Sequence, residues 1–114
     1  MNITRLDDGF AVSGQIAAQD IPDIAAAGFR SIICNRPDGE GADQPAFDEI
    51  ARAARAAGLE AAYLPIVPGQ MSEADMRGFA DLVRTMPGPV FGYCRSGARA
   101  SGLWQAARTA QLLD

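Results

Sequence analysis

The sequence predicts an α/β fold in one domain, residues 1–114, with a mostly parallel central sheet, an N-terminal hairpin and helices on both faces. Three observations predict it. Short apolar runs at residues 30–34, 60–66 and 88–93 have the length of strands. Segments of helical period separate them, and such alternation is the pattern of parallel strands joined by crossover helices. Ahead of them, two short segments flank Asp7-Asp8-Gly9, a hairpin signal.

Residues 3–6 and 10–13 are the arms of that hairpin. Asp20 reads as an N-cap and Pro22 as first-turn proline of a helix that ends at Gly28. The strand at 30–34 follows, then a polar, acidic loop over 35–45, at a strand's C-terminal end where α/β sites are built. A second helix runs from Gln44 or Pro45 to Ala57, with Phe47, Ile50, Ala51 and Ala54 on one face. The strand at 60–66 leads into the loop Val67-Pro68-Gly69-Gln70-Met71. Ser72 and Asp75 then have the spacing of a capping box. Met76, Phe79, Leu82, Val83 and Met86 follow at helical spacing. Pro87-Gly88-Pro89 breaks that helix and opens the last strand, and Ala100 to Leu113 reads as the closing helix.

Composition excludes several function classes. The net charge is −4 and no basic run occurs, so no nucleic-acid footprint is expected. All ten basic residues are Arg, and His is absent. That removes His-assisted nucleophiles and His-bearing zinc sites. Cys34 and Cys94 are too few for a disulfide framework or a metal cluster, so no metal or other cofactor is called for. The N-terminus lacks the apolar stretch of a signal peptide, and no run approaches a membrane span. These features predict a cytoplasmic, non-membrane protein with free thiols.

The chemistry centres on Tyr93-Cys94-Arg95-Ser96-Gly97-Ala98-Arg99-Ala100-Ser101. A cysteine between a strand and a helix N-terminus sits where turn and first-turn N–H groups converge, an anion-binding arrangement that also favours a thiolate. Cys94 is the expected nucleophile. Arg99 is the expected clamp, because a planar guanidinium matches two oxygens of an anion and an ammonium does not. Arg95, Ser96, Gly97, Ala98, Ala100 and Ser101 complete the anion-binding loop. Arg95 either widens a positive mouth or is a plain surface residue. Ser96 contributes mainly its N–H. Ser101 either hydrogen-bonds the thiolate or caps the helix.

This loop resembles the active loop of rhodanese-type sulfurtransferases, which is similar to that of the cysteine-dependent phosphatases. The whole chain resembles the bacterial beta-lactamase-hydrolase-like, phosphatase-like domain family, whose members also carry a sulfur-transferase label. The residues that carry this are Phe10 to Gln15, Gly28 to Pro37, Leu64 to Ile66 with Pro68 to Met71, and the Cys94 loop. The resemblance implies the α/β fold above and Cys94-dependent chemistry.

Two chemistries compete. Four residues separate Cys94 from Arg99, the spacing of rhodanese-type loops. The phosphatases of the resemblance have one more, and Tyr93 stands where a His usually precedes their Cys. A shorter loop fits a persulfide more readily than the oxygens of a phosphate. The phosphatase route also wants a general acid. Asp75 is the first candidate, with Asp38 and Glu40 on the earlier loop as others, whereas thiolate exchange needs none. The main expectation is therefore a sulfurtransferase that moves sulfur from a small-molecule donor through a Cys94 persulfide to a thiol acceptor. The alternative is a phosphatase acting on a phosphoester through a phosphocysteine. A third reading is a non-catalytic thiol sensor or anion-binding module. Cys34, ending the 30–34 strand, is either a thiol that resolves an oxidised Cys94 or a small core residue.

Overall fold

A computed structural model describes residues 1–113. Strands β1 (Thr4–Asp7), β2 (Phe10–Ser13), β3 (Ser31–Cys34), β4 (Glu60–Tyr63) and β5 (Val90–Tyr93) form one sheet in the order β1-β2-β5-β3-β4. The hairpin β1–β2 is antiparallel, and β2, β5, β3 and β4 run parallel. Helices α1 (Ile21–Ala26), α2 (Phe47–Ala56), α3 (Glu73–Thr85) and α4 (Ala98–Thr109) cover the faces. This is the α/β fold expected, with its N-terminal hairpin and mostly parallel sheet.

The core lies in two layers, one per sheet face. On one face Phe10, Val12, Ile33 and Val90 pack with Phe79 of α3 and Leu103 and Trp104 of α4. On the other, Ala11, Ile32, Phe91 and Tyr93 pack with Ile21 and Ile24 of α1 and Ile50 and Ala54 of α2. Strand side chains alternate between the faces, so β2, β3, β4 and β5 each supply both layers. Strands β2, β3 and β5 are buried throughout, whereas β4 is a half-exposed edge.

Four local expectations need correction. A 3-10 turn, Ala18–Asp20, precedes α1, and Asp20 accepts the N–H of Ala17 rather than capping α1. Helix α2 begins at Phe47, whose N–H donates to the Asp38 carboxylate 2.8 Å away. Strand β4 ends at Tyr63, although Leu64 and Ile66 still donate to the carbonyls of Cys34 and Asn35. Pro65 between them has no N–H to give, which interrupts the ladder. Finally, α4 starts at Ala98, two positions ahead of Ala100.

Candidate active site

Strand β5 runs through the middle of the sheet and delivers Cys94 to its C-terminal edge. The Cys94 N–H donates to the carbonyl of Ser13, which extends the pairing with β2 by one residue. Gly97 then turns the chain. Its φ of 94° is left-handed, where a Cβ is strained, and it is the residue before the first turn of α4. The Gly97 N–H donates to Cys94 Sγ at 3.1 Å. The Ser101 N–H bonds the carbonyl of Gly97, so the first-turn amides of Ala98, Arg99 and Ala100 have no acceptor within the helix, and that of Ala98 donates instead to Ser96 Oγ at 3.4 Å. Cys94 is itself buried at the base of this loop. The expected strand, thiol, turn and helix N-terminus are thus assembled around one sulfur.

Arg99 projects from that first turn. Its Nη1 donates to Glu40 Oε2 at 2.8 Å and to the Ile66 carbonyl at 2.9 Å, and its Nη2 donates to Glu40 Oε1 at 2.6 Å. A guanidinium has five N–H groups. Three are used here, leaving the Nε edge, with Nε–H and the second Nη2 N–H, without a partner among the described residues. Glu40 Oε1 also accepts from Arg36 Nε at 3.0 Å, and Arg36 Nη1 donates to Gln15 Oε1. The hydrogen bond from Arg99, aided by Arg36, lowers Glu40 to about 2, against partial desolvation. Glu40 is therefore a fixed anion that holds two arginines.

The remaining candidates fall outside this cluster or at its margin. Asp75 is committed to the α3 cap: its carboxylate accepts the Ser72 N–H at 2.9 Å while its own N–H donates to Ser72 Oγ. Asp38 holds the start of α2, so neither it nor Asp75 is free as an acid. Cys34 lies in the layer facing α1 and α2, whereas Cys94 lies in the layer facing α3 and α4. The two thiols thus belong to opposite layers of the core, which favours the reading of Cys34 as a small core residue over the resolving role. Burial pushes the Cys34 thiol up, and its S–H donates to the Arg36 carbonyl. Arg95 is exposed and lines a cleft with Arg36, Glu40 and Arg99. Ser96, Gly97, Ala98 and Ser101 line a separate cleft on the hairpin side, and Ala100 is on the buried face of α4. Sequence reasoning missed Arg36. Its only signal was an arginine just past a buried strand. Among the described residues no three His, Cys, Asp or Glu side chains converge as a metal site, and no helix is long and apolar enough to cross a membrane.

Residues 2–111 match the family described as beta-lactamase hydrolase-like protein, phosphatase-like domain. A beta-lactamase hydrolase-like protein of Agrobacterium fabrum is 38% identical over 104 residues, covering 91% of this chain and 24% of that protein. This chain thus spans about a quarter of the length of the curated relatives it matches. Among solved structures, a candidate phosphatase of Neisseria meningitidis superimposes with a TM-score of 0.90 at 36% identity, covering 97% of this chain and 79% of that one. P. aeruginosa TpbA, solved in complex with pTyr, shares the fold, with a TM-score of 0.67, 16% identity and coverage of 92% and 60%. The family match and the Neisseria structure overturn the sulfurtransferase expectation, with its persulfide, sulfur donor and thiol acceptor, in favour of the phosphatase alternative. Residue count from Cys94 to Arg99 is a poor gauge of the cradle. Loop and helix amides form the cradle, and the guanidinium arrives on a long side chain. The chain belongs to the beta-lactamase hydrolase-like protein, phosphatase-like domain family.

Proposed function

We propose that this chain is a cysteine-dependent phosphatase that hydrolyses phosphomonoesters through a phosphocysteine. The observation that carries it is the Cys94 sulfur at the floor of the turn into α4, with Gly97 N–H on the sulfur, the Arg99 and Ala100 amides without an acceptor in the helix, and Arg99 held beside the loop by Glu40. Phosphoryl transfer asks mainly for positioning and charge stabilisation, which amides and a guanidinium supply. The thiolate attacks phosphorus, an S–P bond forms, and the ester P–O bond breaks with its electron pair leaving on oxygen. Water then attacks the phosphocysteine, releasing phosphate and restoring the thiolate. The free Nε edge of Arg99 takes two phosphoryl oxygens in both steps.

Leaving-group protonation is where this site is sparse. Among the described residues Glu40 is the one carboxylate lining the cleft over Arg99, and two arginines keep it ionised. Aryl phosphates, whose phenolate leaves without a proton, are therefore the preferred test substrates. The experiment is phosphate release from an aryl phosphate by the wild-type chain, Cys94→Ser and Arg99→Lys. The wild type turns over, and Cys94→Ser loses all activity and the phosphocysteine adduct. Arg99→Lys stays folded but loses most turnover, about 100-fold or more, because a point charge cannot match two oxygens. No turnover of any aryl phosphate by the wild type, or unchanged turnover by Cys94→Ser, overturns the reading.

A further inference from the structure

We infer that the cleft over Arg99 contains a second anion subsite, built on Arg36 and Arg95, and that its ligand is a small phosphoester bearing a second anionic group. The inference rests on the phosphatase reading for the reacting phosphate and extends it to the rest of the substrate.

Charge is the first argument. The chain as a whole is acidic, with 14 Asp and Glu against ten Arg. In this cleft the balance reverses among the described residues, with Arg36, Arg95 and Arg99 against Glu40 alone. Elsewhere Arg52, Arg77 and Arg84 pair with Asp48, Glu73 and Asp81 on their own helices, while Arg5 and Arg108 lie over the rings of Phe29 and Trp104 and Arg55 donates to the Ala61 carbonyl. Arg95 has no ion pair among the described residues and stands exposed at the mouth. One guanidinium suffices for the reacting phosphate, which leaves two for something else.

Arg36 is the second argument, because it is built in rather than scattered on the surface. It is only 8% exposed. Glu40 and Gln15 hold its Nε and Nη1, while its Nη2 abuts Gly41, where an added Cβ would stand 2.7 Å away. Gly41 thus makes room for the end of a guanidinium that no protein acceptor satisfies among the described residues. This end is not among the enclosed polar atoms that lack a partner, so solvent reaches it, and an anion there gains a charge-assisted hydrogen bond in place of water.

Size and lining set the ligand class. The cleft holds about 500 Å³, the range of small-molecule sites and more than one phosphate fills. Its apolar lining is limited to Val67 and Pro68, and no aromatic ring lines it among the described residues. A polar molecule with two anionic ends fits this wall; a flat aromatic phosphoester gains no stacking from it.

The test separates binding from turnover. Isothermal titration is made on the Cys94→Ser chain, which keeps the cleft without the nucleophile. The two ligands are benzylphosphonate and p-xylylenebisphosphonate, which differ by one anionic group and cannot be hydrolysed. The bisphosphonate binds at least about tenfold tighter, the weight of one charge-assisted hydrogen bond. That exceeds the roughly twofold advantage of a symmetric ligand with two usable ends. Arg95→Ala, an exposed position, lowers the ratio toward that twofold level, with Arg36 supplying what remains. A ratio near two in the starting protein, or one unchanged by Arg95→Ala, overturns the subsite. Aryl phosphate turnover by the wild-type chain is read separately, so failure of the phosphatase reading leaves the binding ratio interpretable.

Discussion

Glu40 accepts hydrogen bonds from two guanidiniums at once, and this sets both its proton affinity and its role. The Arg99 and Glu40 side chains are 13% and 22% exposed, so solvent screens the pair only in part. A carboxylate lowered to about 2 from its ordinary 4.5 stabilises the fold wherever it is ionised in both states. That stability is fully present above pH 4.5 and is lost as the pH falls toward about 2. Glu40→Gln is therefore less stable than wild type at pH 7 by about 1–2 kcal/mol, between the values for exposed and for buried pairs. The gap narrows steadily in urea melts taken at falling pH between 4.5 and 2. A gap that stays constant across those melts would assign the loss to packing rather than to the ion pair. The same pairing removes Glu40 as a general acid, a role its place on an acidic loop had left open.

At the scale of the element, strand β5, the Cys94 loop and helix α4 form one unit, and nearly all of it was legible in the sequence. The apolar run, the cysteine, the glycine and the Ala- and Leu-rich segment each point to their element through local physics. What the loop contacts is a tertiary fact. Arg99 meets Glu40 across 59 positions of chain, and nothing in the spacing of either residue announces it. The start of α4 was misjudged because Ala98 and Arg99 looked like loop, yet a left-handed glycine ends the turn early and lets the helix begin at once. Gly97→Ala tests this unit. A Cβ there is strained by the φ of 94° and would sit 3.4 Å from the Ser13 carbonyl carbon and oxygen. The expected cost is about 1–2 kcal/mol of stability. Aryl phosphate turnover falls as well, because relieving the strain swings the Gly97 N–H off the sulfur. Full activity with wild-type stability in Gly97→Ala would mean that the left-handed turn is not what aims this amide.

Across the whole molecule, the sheet divides the core into two layers, and the parity of its strands decides which thiol serves the site. Cys34 and Tyr93 are register partners on neighbouring strands β3 and β5, and both point toward α1 and α2. Cys94 comes one residue after Tyr93, so it points the opposite way, toward α3 and α4. Sequence placed the two thiols at the ends of adjacent strands but not on a face. Parity depends on the register between β3 and β5, and neither strand fixes that alone. A disulfide needs Cβ vectors that converge, and across one sheet these diverge. Burial reinforces the separation by pushing the Cys34 thiol up, which keeps it protonated and unreactive at neutral pH. Mild oxidation of the folded chain with peroxide or diamide should therefore yield adducts or sulfenate on Cys94 with no internal disulfide. Peptide mapping by mass spectrometry, without reduction, reads this directly. The same oxidant in urea, where the sheet no longer holds the thiols apart, forms the Cys34–Cys94 crosslink and serves as the positive control. A crosslink formed at native conditions as fast as in urea would show that β5 changes register or face in solution, and the two-layer arrangement around Cys94 would fall with it.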